Sequence, residues 1–242
     1  MALSLAVNLA GFVALGAVIQ GRGGIAYLKA IVSHDPSGTP DSSDAFRRSL
    51  FDLSTVKADL RPIVFLGDSI TYEGGNWQEF FDTDVPILNR GIGGDTSVDV
   101  LRRIGQITAL KPRAVFLMIG TNDHQLIGYS PSNTAGTVKE IVSAIRRKSP
   151  DTLTYLEALL PSRAPAFVDW SDRVNSLFAE MADNRSVFFL NFRAAFLENG
   201  LLARALTRDG IHLSADGYRL WKTSIDPVIT QLLRMRQSSP RD

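Results

Sequence analysis

The chain has 242 residues, 45% of them hydrophobic, with 26 basic and 25 acidic residues, a formal net charge of +1 and no cysteine. That length and apolar content suit one α/β body with a full core. The charge balance gives no reason to expect nucleic acid as a partner, and the missing cysteines exclude disulfides, thiolate catalysis and cysteine-ligated metal while leaving the compartment open.

Residues 1–21 contain no charged side chain. A helix needs roughly 18–20 apolar residues to cross a bilayer, so this run is just long enough. It lacks the basic leader of a secretory signal. The first basic residues, Arg22 and Lys29, follow the run, which by the positive-inside rule favours a cytoplasmic body. The segment reads as a membrane anchor or an uncleaved signal, implying membrane association or export with either orientation open. A hydrophobic helix packed on the body or on a partner subunit is the alternative. Residues 22–60 read as a linker and a short helix: "SHDPSGTPDSSD" at 33–44 has turn and linker composition, and 45–54 place Phe46, Leu50, Phe51 and Leu53 on one side.

From residue 61 to 242 the pattern alternates. Apolar runs at 63–66, 86–89, 114–119, 153–159 and 187–191 read as strands, and 97–110, 133–147, 168–182 and 215–234 as amphipathic helices. Strands apolar throughout, separated by such helices, predict a parallel sheet covered on both faces. Sites in these sheets form at the carboxyl ends of the strands. The first strand ends at Gly67-Asp68-Ser69, the second runs into "NRGIGGDTS", and the third into "GTNDH".

A serine becomes a nucleophile when a base takes its proton and an acceptor orients that base. Of the three histidines, His34 lies in the linker, whereas His212 lies in "TRDGIHLSADGY", three residues after Asp209. In a tight loop Asp209 can reach the imidazole Nδ1 and leave Nε2 facing a hydroxyl. Acyl transfer also needs donors for the oxyanion. The N–H groups of Gly93 and Gly94, the Asn122 amide and the N–H of Ser69 are candidates. Each has a plainer reading: Asp-x-x-His as a surface loop, Gly-Gly as a turn, Asn122 as a cap.

"GDSI", "GIGGD", "GTND" and "DGIH", in that order and at those places, together resemble the SGNH (GDSL-like) hydrolase family over about residues 61–235, and "GGNWQEFF", "NRGIGGDTS" and "FLMIGTNDH" look most like its branch of carbohydrate O-acetylesterases and platelet-activating-factor-acetylhydrolase-like proteins. Ile70 stands where the older family name has leucine, a conservative change. The resemblance implies a flavodoxin-like three-layer α/β/α sandwich with a five-stranded parallel sheet. It implies Ser69 as nucleophile, His212 as general base and Asp209 as its orienting partner. Ser69, Gly94 and Asn122 would form the oxyanion hole, with Gly93 close enough to blur the glycine assignment. It implies no metal and no cofactor. The expected activity is hydrolysis of short-chain, acetyl-type esters, on carbohydrate or another small molecule. A longer-chain lysophospholipase or thioesterase, or a non-catalytic carbohydrate- or lipid-binding protein, is the alternative. Trp77 and His124 are candidates for touching substrate, though a core role for Trp77 beside Phe80 and Phe81 is the stronger reading. The oligomeric state is not legible.

Overall fold

A computed structural model describes residues 61–81 and 83–234. The expected N-terminal segment at 1–21 and the linker and short helix at 22–60 lie outside the described residues. Five strands form one parallel sheet: β1 (Ile63–Gly67), β2 (Ile87–Gly91), β3 (Ala114–Met118), β4 (Leu153–Glu157) and β5 (Val187–Leu190). Their spatial order is β2-β1-β3-β4-β5. The helices are α1 (Ser69–Glu73), α2 (Ser97–Ala109), α3 (Thr121–Leu126), α4 (Pro131–Lys148), α5 (Pro165–Met181) and α6 (Ala215–Arg234). Helices α2, α4 and α5 pack side by side. Helix α6 buries Trp221, Ile225, Ile229 and Leu232 in the core. The chain is thus the expected three-layer α/β fold, in the flavodoxin-like strand order that places a crevice beside β1. Among the described residues, no helix is long and apolar enough to cross a membrane.

Strands β1 and β3 are buried at every position, which is why they read as unbroken apolar runs. One face of the sheet carries an aromatic ladder. Phe65, Phe116, Tyr155 and Phe188 are in register across four strands. Successive rings stack at 4.9, 4.8 and 5.0 Å. Trp77 extends the ladder, stacking on Phe65 at 4.3 Å and meeting Trp221 of α6 edge-on at 4.9 Å. It is 1% exposed and donates through Nε1 to the Thr71 carbonyl at 3.2 Å. Trp77 is therefore a core residue and does not border an open pocket, which corrects its candidacy as a substrate contact. A single indole completes the stack and satisfies its one donor.

Several boundaries shift for local reasons. Helices α4 and α5 begin earlier than the apolar spacing suggests, because Pro131 and Pro165 occupy their first turns and Ser130 caps α4. Strand β4 stops at Glu157 because Asn175 of α5 takes both backbone groups of Leu159, at 2.7 and 3.0 Å. Helices α1 and α3, of 5 and 6 residues, are too short to show a helical period.

Glu157 makes one stability prediction. Its carboxyl is 1% exposed and accepts the Trp221 Nε1–H at 2.7 Å. Burial pushes its pKa up from 4.5 to about 8, against the smaller opposing effect of that hydrogen bond. The folded chain therefore holds a proton that the unfolded chain releases above about 4.5. This contribution to stability is full below pH 4.5 and fades as pH rises to about 8, by an amount on the order of a few kcal/mol. Glu157→Gln keeps the acceptor and flattens this part of the slope, read as the denaturant midpoint against pH. A slope unchanged by the substitution contradicts the assignment. Asp68, buried and likewise raised, to about 7, leaves a residual slope of the same sign.

Candidate active site

The turn from β1 into α1 is only one residue wide. Gly67 ends the strand, Asp68 caps the helix by accepting the Ile70 N–H at 2.9 Å, and Ser69 is the first helical residue. Ser69 thus sits at the strand's carboxyl end, half-buried, with its own N–H among those a helix start leaves without an internal partner. This tight turn lies directly on β2. A Cβ on Gly91 would stand 2.3 Å from the Tyr72 nitrogen and 2.8 Å from the Asp68 carbonyl, so only glycine fits there.

The second polar group comes from the loop before α6. Asp209 Oδ1 accepts the N–H groups of Ile211 and His212 at 2.9 and 2.8 Å. Its Oδ2 lies 2.7 Å from His212 Nδ1. Partial burial works to raise the Asp209 pKa, but the hydrogen bonds from the His212 ring and the two backbone N–H groups outweigh it, and the carboxyl lies below its ordinary value. A carboxylate only accepts, so Nδ1 carries the proton and the Nε2 lone pair is free. Nε2 lies 2.9 Å from Ser69 Oγ, across 143 positions of sequence. Two further hydrogen bonds hold this loop closed: Thr207 Oγ1 donates to the His212 carbonyl at 2.8 Å, and the Arg163 N–H donates to Gly210 O at 2.9 Å. An Arg208–Glu73 ion pair joins the loop to α1.

The third group is the loop after β2. Gly94 adopts φ +77°, a left-handed conformation that glycine alone takes without strain, and it is exposed. The next residue, Asp95, accepts the Asn122 Nδ2 on its backbone carbonyl at 2.9 Å. Asn122 lies on α3, directly after β3, as the strand-end rule requires. Its neighbour Asp123 is buried and accepts the Ser97 N–H and hydroxyl at 2.7 and 2.5 Å, fastening α3 to the start of α2. His124 is half-buried and packs against Phe167 and Trp170, with ring centroids 5.4 and 5.1 Å away. A separate surface cavity of about 570 Å³, lined by Phe80, Phe81, Lys222 and Asp226 among others, holds none of the Ser69, Asp209 and His212 side chains.

A serine, imidazole and carboxylate in hydrogen-bonded series can carry out acyl transfer. The sequence also matches the GDSL-like lipase/acylhydrolase family over residues 65–220, well over half of its length.

The chain belongs to the GDSL-like lipase/acylhydrolase family.

Within and around that family, platelet-activating factor acetylhydrolase IB subunit alpha1 of Bos taurus is 29% identical over 184 residues, covering 72% of this chain and 78% of the relative. The solved structure of a Bacteroides fragilis protein assigned as an acylhydrolase superposes with a TM-score of 0.68 at 26% identity, covering 80% of this chain and 99% of that one. A carbohydrate esterase family 3 structure from Talaromyces cellulolyticus matches with a TM-score of 0.58 at 21% identity, over 72% and 98% of the two chains. At that identity the last likeness speaks for the fold alone. As a GDSL-like acylhydrolase, the chain is an ester hydrolase.

Sequence reasoning missed the supporting polar residues around this candidate site. Asp68, Asp95, Arg103 and Asp123 are all buried. One signal was available for Arg103. It falls on the apolar stripe of α2 with Val100, Ile104 and Ile107, where a charge calls for a buried partner.

Proposed function

We propose that the protein is a serine esterase for short acyl groups, acetyl above all, with the O-acetyl groups of carbohydrate as the expected esters. Ser69 Oγ attacks the ester carbonyl carbon as its proton passes to His212 Nε2, and Asp209 steadies the resulting imidazolium. The N–H groups of Ser69 and Gly94 and the Asn122 amide receive the negative oxygen. The C–O bond to the alcohol breaks, His212 returns its proton to the leaving oxygen, and an acyl-Ser69 remains. Water, deprotonated by His212, then attacks the acyl carbon, releasing the acid and restoring the serine. His124, two residues beyond Asn122, flanks the substrate cleft. Residues 61–242 form the catalytic domain, with 22–60 as linker and 1–21 as an anchor or signal that associates the protein with a membrane.

The observation that carries this reading is the 2.9 Å contact between Ser69 Oγ and His212 Nε2, backed by the 2.7 Å contact to Asp209. The acetyl preference is supported by relatives named as acetylhydrolases of platelet-activating factor.

The test is a hydrolysis panel of p-nitrophenyl esters from acetyl to palmitoyl, with acetylated sugars and platelet-activating factor as further substrates. Chain-length discrimination in an apolar pocket runs at about 10–200-fold per methylene. The expected result is kcat/KM greatest for acetyl and falling about tenfold or more by hexanoyl. A kcat/KM that climbs with chain length would transfer the assignment to a lysophospholipase or thioesterase.

A further inference from the structure

Arg103 directly joins the strand end before Ser69 to the loop after β2, and the esterase reading gives it no role so far. Its side chain is 3% exposed and that of its partner Asp95 is 2% exposed. Nε donates to Asp95 Oδ2 at 2.7 Å, and Nη2 donates to the Gly67 carbonyl at 3.1 Å. The same carbonyl accepts the Ile92 N–H at 3.1 Å. Gly67 lies two residues before Ser69. Asp95 directly follows Gly94, and its own backbone oxygen receives the Asn122 amide. One guanidinium therefore ties together the strand end that presents the serine, the glycine loop and, through the Asp95 backbone, the asparagine.

We infer that Arg103 is a positioning residue for the oxyanion hole, holding the loops of Gly94 and Asn122 at a fixed separation from Ser69. This rests on the esterase reading. Fold stability is a poor reason for such a pair, because replacing a buried ion pair with apolar residues is often neutral or stabilising. Geometry is a better one. A guanidinium offers a planar set of donors that fixes two acceptors at once, here Gly67 at the strand end and Asp95 beside Gly94, whereas an ammonium is a point charge on a flexible stem. Oxyanion donors act only when aimed before the reaction, and displacement by about 1 Å can cost roughly 10²-fold in rate. Arg103 touches no reacting atom, so its loss is read in turnover and leaves the Ser69–His212–Asp209 series in place.

The experiment uses full-length Arg103→Lys, which keeps the charge and loses the fork, and full-length Asp95→Asn, which keeps an acceptor and loses the ion pair. Each is compared with wild type and Ser69→Ala on p-nitrophenyl acetate, with near-UV circular dichroism to establish folding. The expected result is a kcat about 10²-fold lower with KM within about twofold of wild type, as for loss of an interaction made in the transition state. For Arg103→Lys the pH profile of kcat/KM keeps its shape, since the imidazole, its carboxylate and the Asp95 charge that acts on Asp68 are all retained. Either folded variant turning over within about twofold of wild type, or a loss carried by KM, overturns the positioning role. Wild-type turnover that vanishes in Ser69→Ala upholds the esterase reading independently. An active wild type with an indifferent Arg103→Lys therefore defeats this inference alone.

Discussion

Ser69→Ala and His212→Ala each lower kcat for ester hydrolysis by roughly 10⁶-fold, and the double variant loses little beyond either single one. The reason is the shared step. Removing the hydroxyl leaves the imidazole nothing to deprotonate, and removing the imidazole leaves a neutral alcohol 2.9 Å from an empty space. Asp209→Asn loses less, roughly 10⁴-fold, because an amide still contacts Nδ1 but favours the wrong tautomer. Ser69 and His212 are half-buried, so neither alanine leaves a large core cavity, and both variants unfold near the wild-type midpoint. Labelling by a fluorophosphonate reads the same chemistry directly. Wild type reacts and Ser69→Ala does not. A folded wild type that resists the reagent and hydrolyses nothing would leave a binding protein with an unused cleft.

Asn122→Ala is expected to lower kcat by about 10²–10³-fold with a modest change in KM, the cost of losing one preorganised oxyanion donor. The side chain's tie to the Asp95 carbonyl goes at the same time, so the glycine loop loses one of its restraints. The Ser69–His212–Asp209 series remains, and fluorophosphonate labelling still goes to completion, only more slowly. The separation of effects is diagnostic. A structural cap at Asn122 would move the unfolding midpoint and spare kcat. An Asn122→Ala protein with wild-type kcat removes the residue from the proposed machinery.

The fold was legible because β1 and β3 are buried on both faces and helices α2, α4, α5 and α6 each carry a clear apolar stripe. The proximity of Ser69 to His212 was legible only through four short blocks taken together, since nothing local in "DGIH" says which strand end it will face. What the sequence hid falls into two kinds. Helices α1 and α3 are shorter than two turns, so the local backbone around Ser69 and Asn122 could not be read from periodicity. The buried polar residues answer to partners elsewhere in the sequence. Arg103 meets Gly67 36 positions away, and Ser97 meets Asp123 26 positions away. Trp77 was ambiguous for a third reason. An aromatic residue following a polar loop can line a cleft or cap a stack, and only the register of Phe65 with Phe116 decides for the stack.

The aromatic ladder has a bearing on when the proposed site is assembled during synthesis. Phe65, Trp77 and Phe116 emerge from the ribosome early, together with the serine and the glycine loop, but the indole that meets Trp77 edge-on belongs to Trp221. His212 lies just upstream of that residue, so docking of α6 brings the imidazole to its place. A nascent or interrupted chain ending before residue 212 carries Ser69 without the imidazole that lies 2.9 Å from its hydroxyl. On the proposed mechanism, ester hydrolysis therefore waits for the segment that carries His212, and a chain lacking it would bind an ester without cleaving it.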